Sequence, residues 1–240
     1  MLTKAQVKHI SSLGIKKYRQ EFQQFVIEGP KMVDELLQSK LEIEKIYALN
    51  SWHSSFLKNL HTVEIIEDYE LKKISQLETP NEVLAIARFK KEKINFNLDN
   101  ISIALDDIQD PGNLGTIIRI ADWYGINQIY CSPKTVDMYN TKTIQASMGS
   151  IFRVSIHYVD LIKELSPLKE RCMAAVLNGT SIKECKLPTN GILIIGNESK
   201  GINEDLLKIC NHKISIPRKG KAESLNAAIA CGIICSILIE

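Results

Sequence analysis

Short apolar strands alternate with helices through the second part of the chain, and this alternation constrains the fold more than any other feature. Strands are predicted at 101–105, 128–131, 173–177, 192–195 and 213–216, and helices at 114–123, 141–148, 203–210 and 224–238. Strands that are apolar along nearly their whole length and alternate with helices are typical of parallel sheets with helices on both faces. The sequence therefore predicts an α/β fold with a mostly parallel sheet, whose ligands bind at the carboxyl ends of the strands.

The first part of the chain predicts a smaller α/β unit of its own. Helices are predicted at 31–37 and 70–77, and strands at 43–49, 63–66 and 83–89. A polar and charged stretch, 90–97, follows them and is typical of a linker. We therefore predict one domain at 1–89, a linker at 90–99 and a second domain at 100–240.

The composition is that of an ordinary globular protein, with 45% hydrophobic and 24% charged residues in a chain of 240. No apolar run reaches the ~18 residues that a membrane span needs. The N-terminus lacks the apolar core of a secretion signal. We expect a cytoplasmic protein without a membrane partner.

The six cysteines contain no C-x-x-C pair, so we expect buried free thiols and no metal site.

The N-terminal segment is basic although the whole chain has a net charge of only +2. Between Met1 and Arg19 the cations are Lys4, Lys8, Lys16, Lys17 and Arg19, with no Asp or Glu. Such a cluster can bind a phosphate backbone. It can equally be the solvated face of a helix, and the residues alone leave both explanations open.

The loop after the strand at 101–105 carries a Pro-Gly turn, an asparagine and an arginine that are suited to a ligand site. Asn113 stands where the N-cap of the next helix is expected. Arg119 lies among isoleucines of that helix, so its guanidinium must find a partner or reach a cavity. Taken alone, a capping asparagine and a structural ion pair explain these two residues as well.

Two further loops follow strands in the same way. The loop after 192–195 has four polar residues between Gly196 and Gly201, and its Glu198 could bind an amine or a cation, although a surface turn would explain it too. The loop after 213–216 ends at Ser224, the expected N-cap of the last helix, which leaves the amide of Asn226 in the first turn and free to face a ligand. Neither a P-loop nor a dinucleotide glycine fingerprint is present, so a nucleotide-like ligand must be held in another way.

Together the three loops resemble the three signature motifs of the SpoU/TrmH family of RNA ribose 2′-O-methyltransferases, in the SPOUT superfamily. The resembling segments are 110–115 with Arg119, then 194–201, then 216–217 with 224–226. In the first part, 16–19, 25–29 and 81–87 resemble the family's substrate-binding domain. That likeness implies a small α/β fold, similar to a ribosomal protein, that grips RNA.

The resemblance implies a knotted, mostly parallel sheet that binds S-adenosylmethionine. It also implies a homodimer formed through the C-terminal domain, with active sites built from both protomers. Arg119 matches the catalytic arginine, and Asn113, Glu198, Ser224 and Asn226 match polar positions of the site. The implied cofactor-binding residues are Gly196, Asn197, Ile216, Ser224, Leu225 and Asn226.

The resemblance leaves the substrate and the role of the arginine open. The separate N-terminal domain favours ribosomal RNA, with transfer RNA, methylation of a base, and a non-catalytic RNA-binding protein as alternatives. Arg119 either helps to deprotonate the ribose hydroxyl or orients a phosphate and stabilises the developing alkoxide. The expected RNA-binding cations are Lys16, Lys17, Arg19, Arg218 and Lys219.

Overall fold

The first part of the chain forms a four-stranded sheet with helices on both of its faces. The computed structural model describes residues 1–57, 62–90, 99–185, 188 and 190–239. The elements of this part are α1 (Lys4–Ser12), α2 (Lys16–Phe22), β1 (Gln24–Glu28), α3 (Pro30–Gln38), β2 (Ile43–Ala48), β3 (Val63–Ile65), α4 (Asp68–Ile74) and β4 (Val83–Arg88). The strand order is β1-β4-β2-β3, and only β2 and β3 run parallel. Helices α1 and α2 and strand β1 were not predicted.

The second part forms a six-stranded sheet in which every neighbouring pair of strands is parallel. Its elements are β5 (Ile101–Asp106), α5 (Pro111–Trp123), β6 (Gln128–Cys131), α6 (Thr141–Ser147), β7 (Ser155–Tyr158), α7 (Leu161–Leu165), β8 (Cys172–Ser181), β9 (Gly191–Gly196), α8 (Glu204–Lys208), β10 (His212–Ser215) and α9 (Ala227–Leu238), with short 3₁₀ turns at Ser150–Phe152 and Ser166–Arg171. The strand order is β10-β8-β9-β5-β6-β7. The predicted α/β fold with a mostly parallel sheet is confirmed.

The two faces of this sheet are covered by different helices, as the apolar strands require. On β5, Ile103 and Leu105 pack in one buried cluster with residues of α5 and α9. Ala104, between them, points to the other face and packs with residues of α7 and α8. Helix α5 also lies very close to α6, because a Cβ on Gly115 would come within 2.5 Å of the Cβ of Ala146. Gly115, a residue of the first motif, therefore permits this helix pair to pack.

The two sheets share one continuous buried cluster and several polar contacts. The ring of Tyr139 stacks at 4.1 Å on Phe89 and lies 4.3 Å from Phe25. The guanidinium of Arg19 pairs with the carboxylate of Asp137 at 2.6 Å. These contacts join the two parts directly. Residues 91–98 of the predicted linker lie outside the described residues, and the division at 89 and 100 stays a prediction.

Cys185 is half-buried and the other five cysteines are buried, and all six thiols are free. Within the described ranges, none of the helices combines the length and apolar character needed to cross a membrane.

Candidate active site

The register of the parallel sheet brings the first two loops together. Strands β5 and β9 are neighbours, and Asp106 at the end of β5 pairs with Gly196 at the end of β9. The loops that follow therefore start side by side at the carboxyl edge of the sheet. Strands β6 and β7 extend the sheet on one side of β5, and β9, β8 and β10 extend it on the other. A crevice at such a reversal of strand order is where α/β sheets bind ligands.

One polar side chain from each loop joins a continuous chain of hydrogen bonds, which we call the polar bridge (Glu198, Asn113 and Asn226). Asn113 Nδ2 donates to Glu198 Oε1 at 2.8 Å. Asn226 Nδ2 donates to Asn113 Oδ1, also at 2.8 Å. The structure thus brings together three of the residues that the resemblance singled out, although they are up to 113 positions apart.

The residues that cap α5 and α9 differ from the two that were predicted. Asp110, not Asn113, caps α5, with Oδ1 accepting from the backbone N–H of Asn113 at 2.8 Å. Asn226, not Ser224, caps α9, with Oδ1 accepting from two backbone N–H groups of the first turn. Each loop offers two good capping residues, so the residue types could not decide between them. Because Asp110 is the cap, Asn113 lies inside the first turn of α5. From there its side-chain amide reaches Glu198 of the second loop.

The Glu198 carboxylate ties the first loop to the second. Besides Asn113, it accepts from the backbone N–H groups of Gln109 at 3.3 Å and Asp110 at 3.4 Å. Partial burial would raise the pKa of this carboxyl, but these hydrogen bonds outweigh it and hold the pKa below its ordinary value. Glu198 is therefore an anion near neutral pH, and a weak base. Its contacts suit a structural clamp better than a proton acceptor.

A cleft of about 1050 Å³ opens between the second and third loops and the end of β8. Small-molecule sites in proteins have volumes of roughly 300–1,000 Å³, and the volume of this cleft is close to the upper end of that range. Among its lining residues are Gly196, Asn197, Ile216, Ser224 and Leu225. These are five of the six predicted cofactor-binding residues. The sixth, Asn226, uses its side chain in the polar bridge and is not part of the lining.

The two loops that border the cleft differ in whether their backbone N–H groups are hydrogen-bonded within the protein. The second loop is closed on itself by two 3.0 Å hydrogen bonds between Asn197 and Gly201. A Cβ on Gly196 would lie 2.4 Å from the backbone across this loop, so glycine is required there. In the third loop, the backbone N–H groups of 218–225 donate to no acceptor in the part of the chain that the structure describes. Unpaired N–H groups beside an apolar lining suit a ligand with acceptor atoms.

Arg119 does not reach this cleft within one chain. Its side chain is exposed on α5, outside the cleft lining. It forms no ion pair or side-chain hydrogen bond with any described residue. The neighbouring Ile117 and Ile118 point inward and are buried, so the helical turn directs Arg119 to solvent. It shares that outer face with Trp123, whose side chain is 83% exposed.

The predicted RNA-binding cations divide into two groups. Lys16 and Lys17 are exposed, as are Arg218 and Lys219 in the third loop. Arg19 is only 3% exposed, and its guanidinium donates to the Asp137 carboxylate and to two backbone carbonyls. The prediction that Arg19 binds RNA is corrected, because its donors are already engaged inside the protein. Sequence reasoning missed Asp137, which has no local motif to mark it.

Comparisons with known proteins show which family the chain is similar to. The model of the SpoU rRNA Methylase family matches residues 100–236, and that of the MRM3-like substrate binding domain matches residues 4–85. The chain is 30% identical to the 23S rRNA (guanosine(2553)-2′-O)-methyltransferase RlmP of Bacillus subtilis (strain 168), over 95% of this chain and 93% of that protein. It is 31% identical to the 23S rRNA (uridine(2479)-2′-O)-methyltransferase of Streptomyces viridochromogenes, over 76% of this chain and 69% of that protein.

Solved structures give the same result over nearly the whole chain. A TrmH-family chain from Porphyromonas gingivalis has a TM-score of 0.89 and 32% identity, covering 99% of this chain and 98% of that chain. An rRNA methyltransferase from Sinorhizobium meliloti, crystallised with AdoMet, has a TM-score of 0.86 and 27% identity, covering 99% and 95%. Since the family model spans more than half of the sequence and RlmP matches almost all of it, the chain belongs to the SpoU rRNA methylase family.

Proposed function

We propose that this protein transfers a methyl group from S-adenosylmethionine to a ribose 2′-hydroxyl of ribosomal RNA. The observation that carries the proposal is the polar bridge, which joins all three motif loops beside a cleft of cofactor size. The two relatives named above are both 23S rRNA 2′-O-methyltransferases, which favours ribosomal over transfer RNA.

The cleft fits S-adenosylmethionine in size and chemistry. Ile216 and Leu225 supply apolar surface, and the unpaired N–H groups of 218–225 supply donors for acceptor atoms of the adenosine and methionine parts. Gly196, Asn197 and Ser224 complete the set of residues that we expect to hold the cofactor. When bound, the cofactor supplies a methyl group already activated by its positive sulfur, so the protein has mainly to position the hydroxyl and manage its proton.

The roles of the charged residues follow from their surroundings. Glu198 has its pKa lowered by three hydrogen-bond donors, which makes it a poor base and assigns it to holding the loops. Arg119 is exposed and unengaged among the described residues, so it is available to RNA. A guanidinium keeps its proton at any physiological pH. We therefore assign Arg119 to orienting a phosphate and stabilising the developing alkoxide.

We further propose that the protein works as a homodimer through its C-terminal part. Arg119 points away from the cleft of its own chain, so a second copy is needed to bring it to a cleft. Trp123 is 83% exposed on the same face of α5, and Ile229 is 56% exposed on α9, which packs against α5. Large exposed apolar side chains on adjoining helices are typical of a protein–protein interface.

The remaining parts of the proposal concern topology and location. Helix α9 follows the edge strand β10 but packs back against α5 near the middle of the sheet, which supports the knotted path that the family resemblance implies. One family model ends at residue 85 and the other begins at residue 100, which supports a domain boundary between them. A ribosomal RNA substrate would place the protein in the cytoplasm.

Methyl transfer to ribosomal RNA, followed by nuclease digestion and mass spectrometry of the nucleosides, tests the proposed function. We expect the methyl group on a ribose; a methylated base would contradict the proposal. Arg119→Ala should lower the rate about 10²- to 10³-fold while leaving S-adenosylmethionine binding by calorimetry within about twofold. Arg88→Ala, which removes a surface arginine paired with Glu42 and Glu44, is the matched control and should leave the rate unchanged. Absence of any heat of cofactor binding would contradict the proposed function and favour a non-catalytic protein that retains the fold.

A further inference from the structure

A cluster of aromatic rings lies on the outer surface formed by α1 and α2. Tyr18 and Phe22, one helical turn apart, stack with centroids 6.4 Å apart and planes 15° apart. His9 of α1 packs edge-on against Phe22 at 4.7 Å. Phe22 is 37% exposed, and none of the three rings belongs to the buried cluster beneath α1. We call Tyr18, Phe22 and His9 the aromatic platform.

The first 23 residues, which carry the aromatic platform, have almost only positive charges. Lys4, Lys8, Lys16 and Lys17 are exposed, and the Nζ of Lys17 lies 5.8 Å from the centroid of the Tyr18 ring. Glu21 is the one acidic residue in the first 23 positions of the sequence. Lysines next to exposed aromatic rings are the combination that binds single-stranded nucleic acid, since phosphates meet the cations and bases stack on the rings.

The aromatic platform is attached to the candidate active site through the short segment 134–137. At one end of this segment, the carbonyl of Lys134 accepts from Gln109 Nε2 of the first loop at 2.8 Å. At the other end, Asp137 pairs with Arg19 of α2 at 2.6 Å. Arg19 is next to Tyr18 in the chain. A nucleotide bound on the aromatic platform would therefore be held at a set distance from the cleft.

We propose that the aromatic platform stacks an unpaired base of the RNA substrate, while the surrounding lysines bind the adjacent phosphates. This inference rests on the proposed function, because it identifies single-stranded RNA as the structural class that the N-terminal part recognises. Stacking on a ring accepts any base, so the aromatic platform would select an unpaired strand rather than a sequence.

Fluorescence anisotropy with a short mixed-sequence RNA, single-stranded or annealed to its complement, tests this inference on the full chain. Tyr18→Ala should weaken single-strand binding at least about fivefold and change duplex binding less than about twofold, since phosphate contacts dominate the latter. Tyr18→Trp should retain single-strand binding, because it keeps a flat ring. Phe22→Leu, which keeps apolar volume but removes the ring, should weaken single-strand binding in the same direction as Tyr18→Ala.

Tyr69→Ala is the matched control. Tyr69 is another tyrosine of the N-terminal part, 48% exposed where Tyr18 is half-buried, and it also has a lysine over its ring, that of Lys73 at 4.9 Å. Unlike Tyr18, it stacks on no other ring among the described residues. If Tyr18→Ala and Tyr69→Ala change single-strand binding equally, the inference is wrong. It is also wrong if Tyr18→Ala binds RNA like the natural chain, as expected when the patch instead contacts a protein. Since binding is measured without methyl transfer, a missing transferase activity would refute the proposed function alone.

Discussion

The substitution Asn113→Asp tests the polar bridge by changing one group of one side chain. The new aspartate keeps an oxygen that accepts from Asn226 Nδ2, but it replaces the Nδ2–H that donates to Glu198 with a second oxygen. Two carboxylates then face each other across a gap that a 2.8 Å hydrogen bond spans in the natural chain. The Asp110 carboxylate, which caps α5 at the same place, adds to the negative charge.

The structure sets the size of the expected loss in stability. Losing a hydrogen bond to a charged acceptor costs about 1.5–3 kcal/mol. Two unit charges about 4 Å apart repel by about 4 kcal/mol at an effective dielectric constant near 20. Retention of a shared proton, the N-terminus of α5 and the exposure of Glu198 offset part of this repulsion. We expect a net loss of about 2–4 kcal/mol above neutral pH, which lowers Tm by roughly 5–15 °C in a chain of this size.

The expected pH dependence has a definite sign. In the variant, repulsion between the two carboxylates raises the pKa of one of them in the folded state, so stability is regained as pH falls and lost as pH rises. In the natural chain, the lowered pKa of Glu198 gives stability that is present above its unfolded pKa and lost on acidification. Both effects narrow the difference in Tm between the two proteins as pH falls.

Thermal unfolding of both proteins between about pH 5 and pH 8 measures this difference. Asn113→Ala is the matched control, since it removes both hydrogen bonds without adding a charge and should show a much weaker pH dependence. A Tm difference for Asn113→Asp that stays constant over this range, or that widens on acidification, would refute the reasoning.

Three other variants test separate features. Gly196→Ala should abolish S-adenosylmethionine binding in calorimetry, because its Cβ clashes at 2.4 Å, whereas Gly232→Ala, on α9 outside the cleft lining and with no atom nearer than 3.4 Å, should bind normally. Arg19→Ala should lower stability by about 3–5 kcal/mol in denaturant unfolding, since it leaves Asp137 partly buried without its cation, and a loss below about 1 kcal/mol would contradict a buried ion pair. Trp123→Asp should convert a dimer to a monomer in light scattering; a natural chain that is already monomeric at micromolar concentration would refute the proposed interface.

The parallel sheet was predictable because its central strands carry their own signal. Residues 101–105 and 191–195 are buried without a break, and a strand with two buried faces needs apolar residues at nearly every position, Ser102 being the polar exception in these two ranges. The edge strand β7 was missed, since Ser155 and His157 interrupt its apolar pattern. Helix α7 was missed because five residues are too few to show a helical period.

The candidate site was predictable as a set of loops but not in its hydrogen bonds. Residue types placed Asn113 and Asn226 at helix starts, yet which residue caps each helix depends on where the chain bends. The fate of Arg19 depends on Asp137, 118 positions away, and no local pattern reports such a contact. Charge alone therefore grouped a buried structural arginine with the exposed lysines around it.

The ion pair between Arg19 and Asp137 bears on any attempt to exchange parts among relatives. Its two members lie on opposite sides of the predicted domain boundary, one before residues 91–98 and one after them. A chimera that joins only residues 1–89 to the C-terminal part of a relative without this carboxylate would bury the Arg19 guanidinium with no anion to pair with it. A successful chimera therefore needs a carboxylate at the position of Asp137 in its C-terminal part.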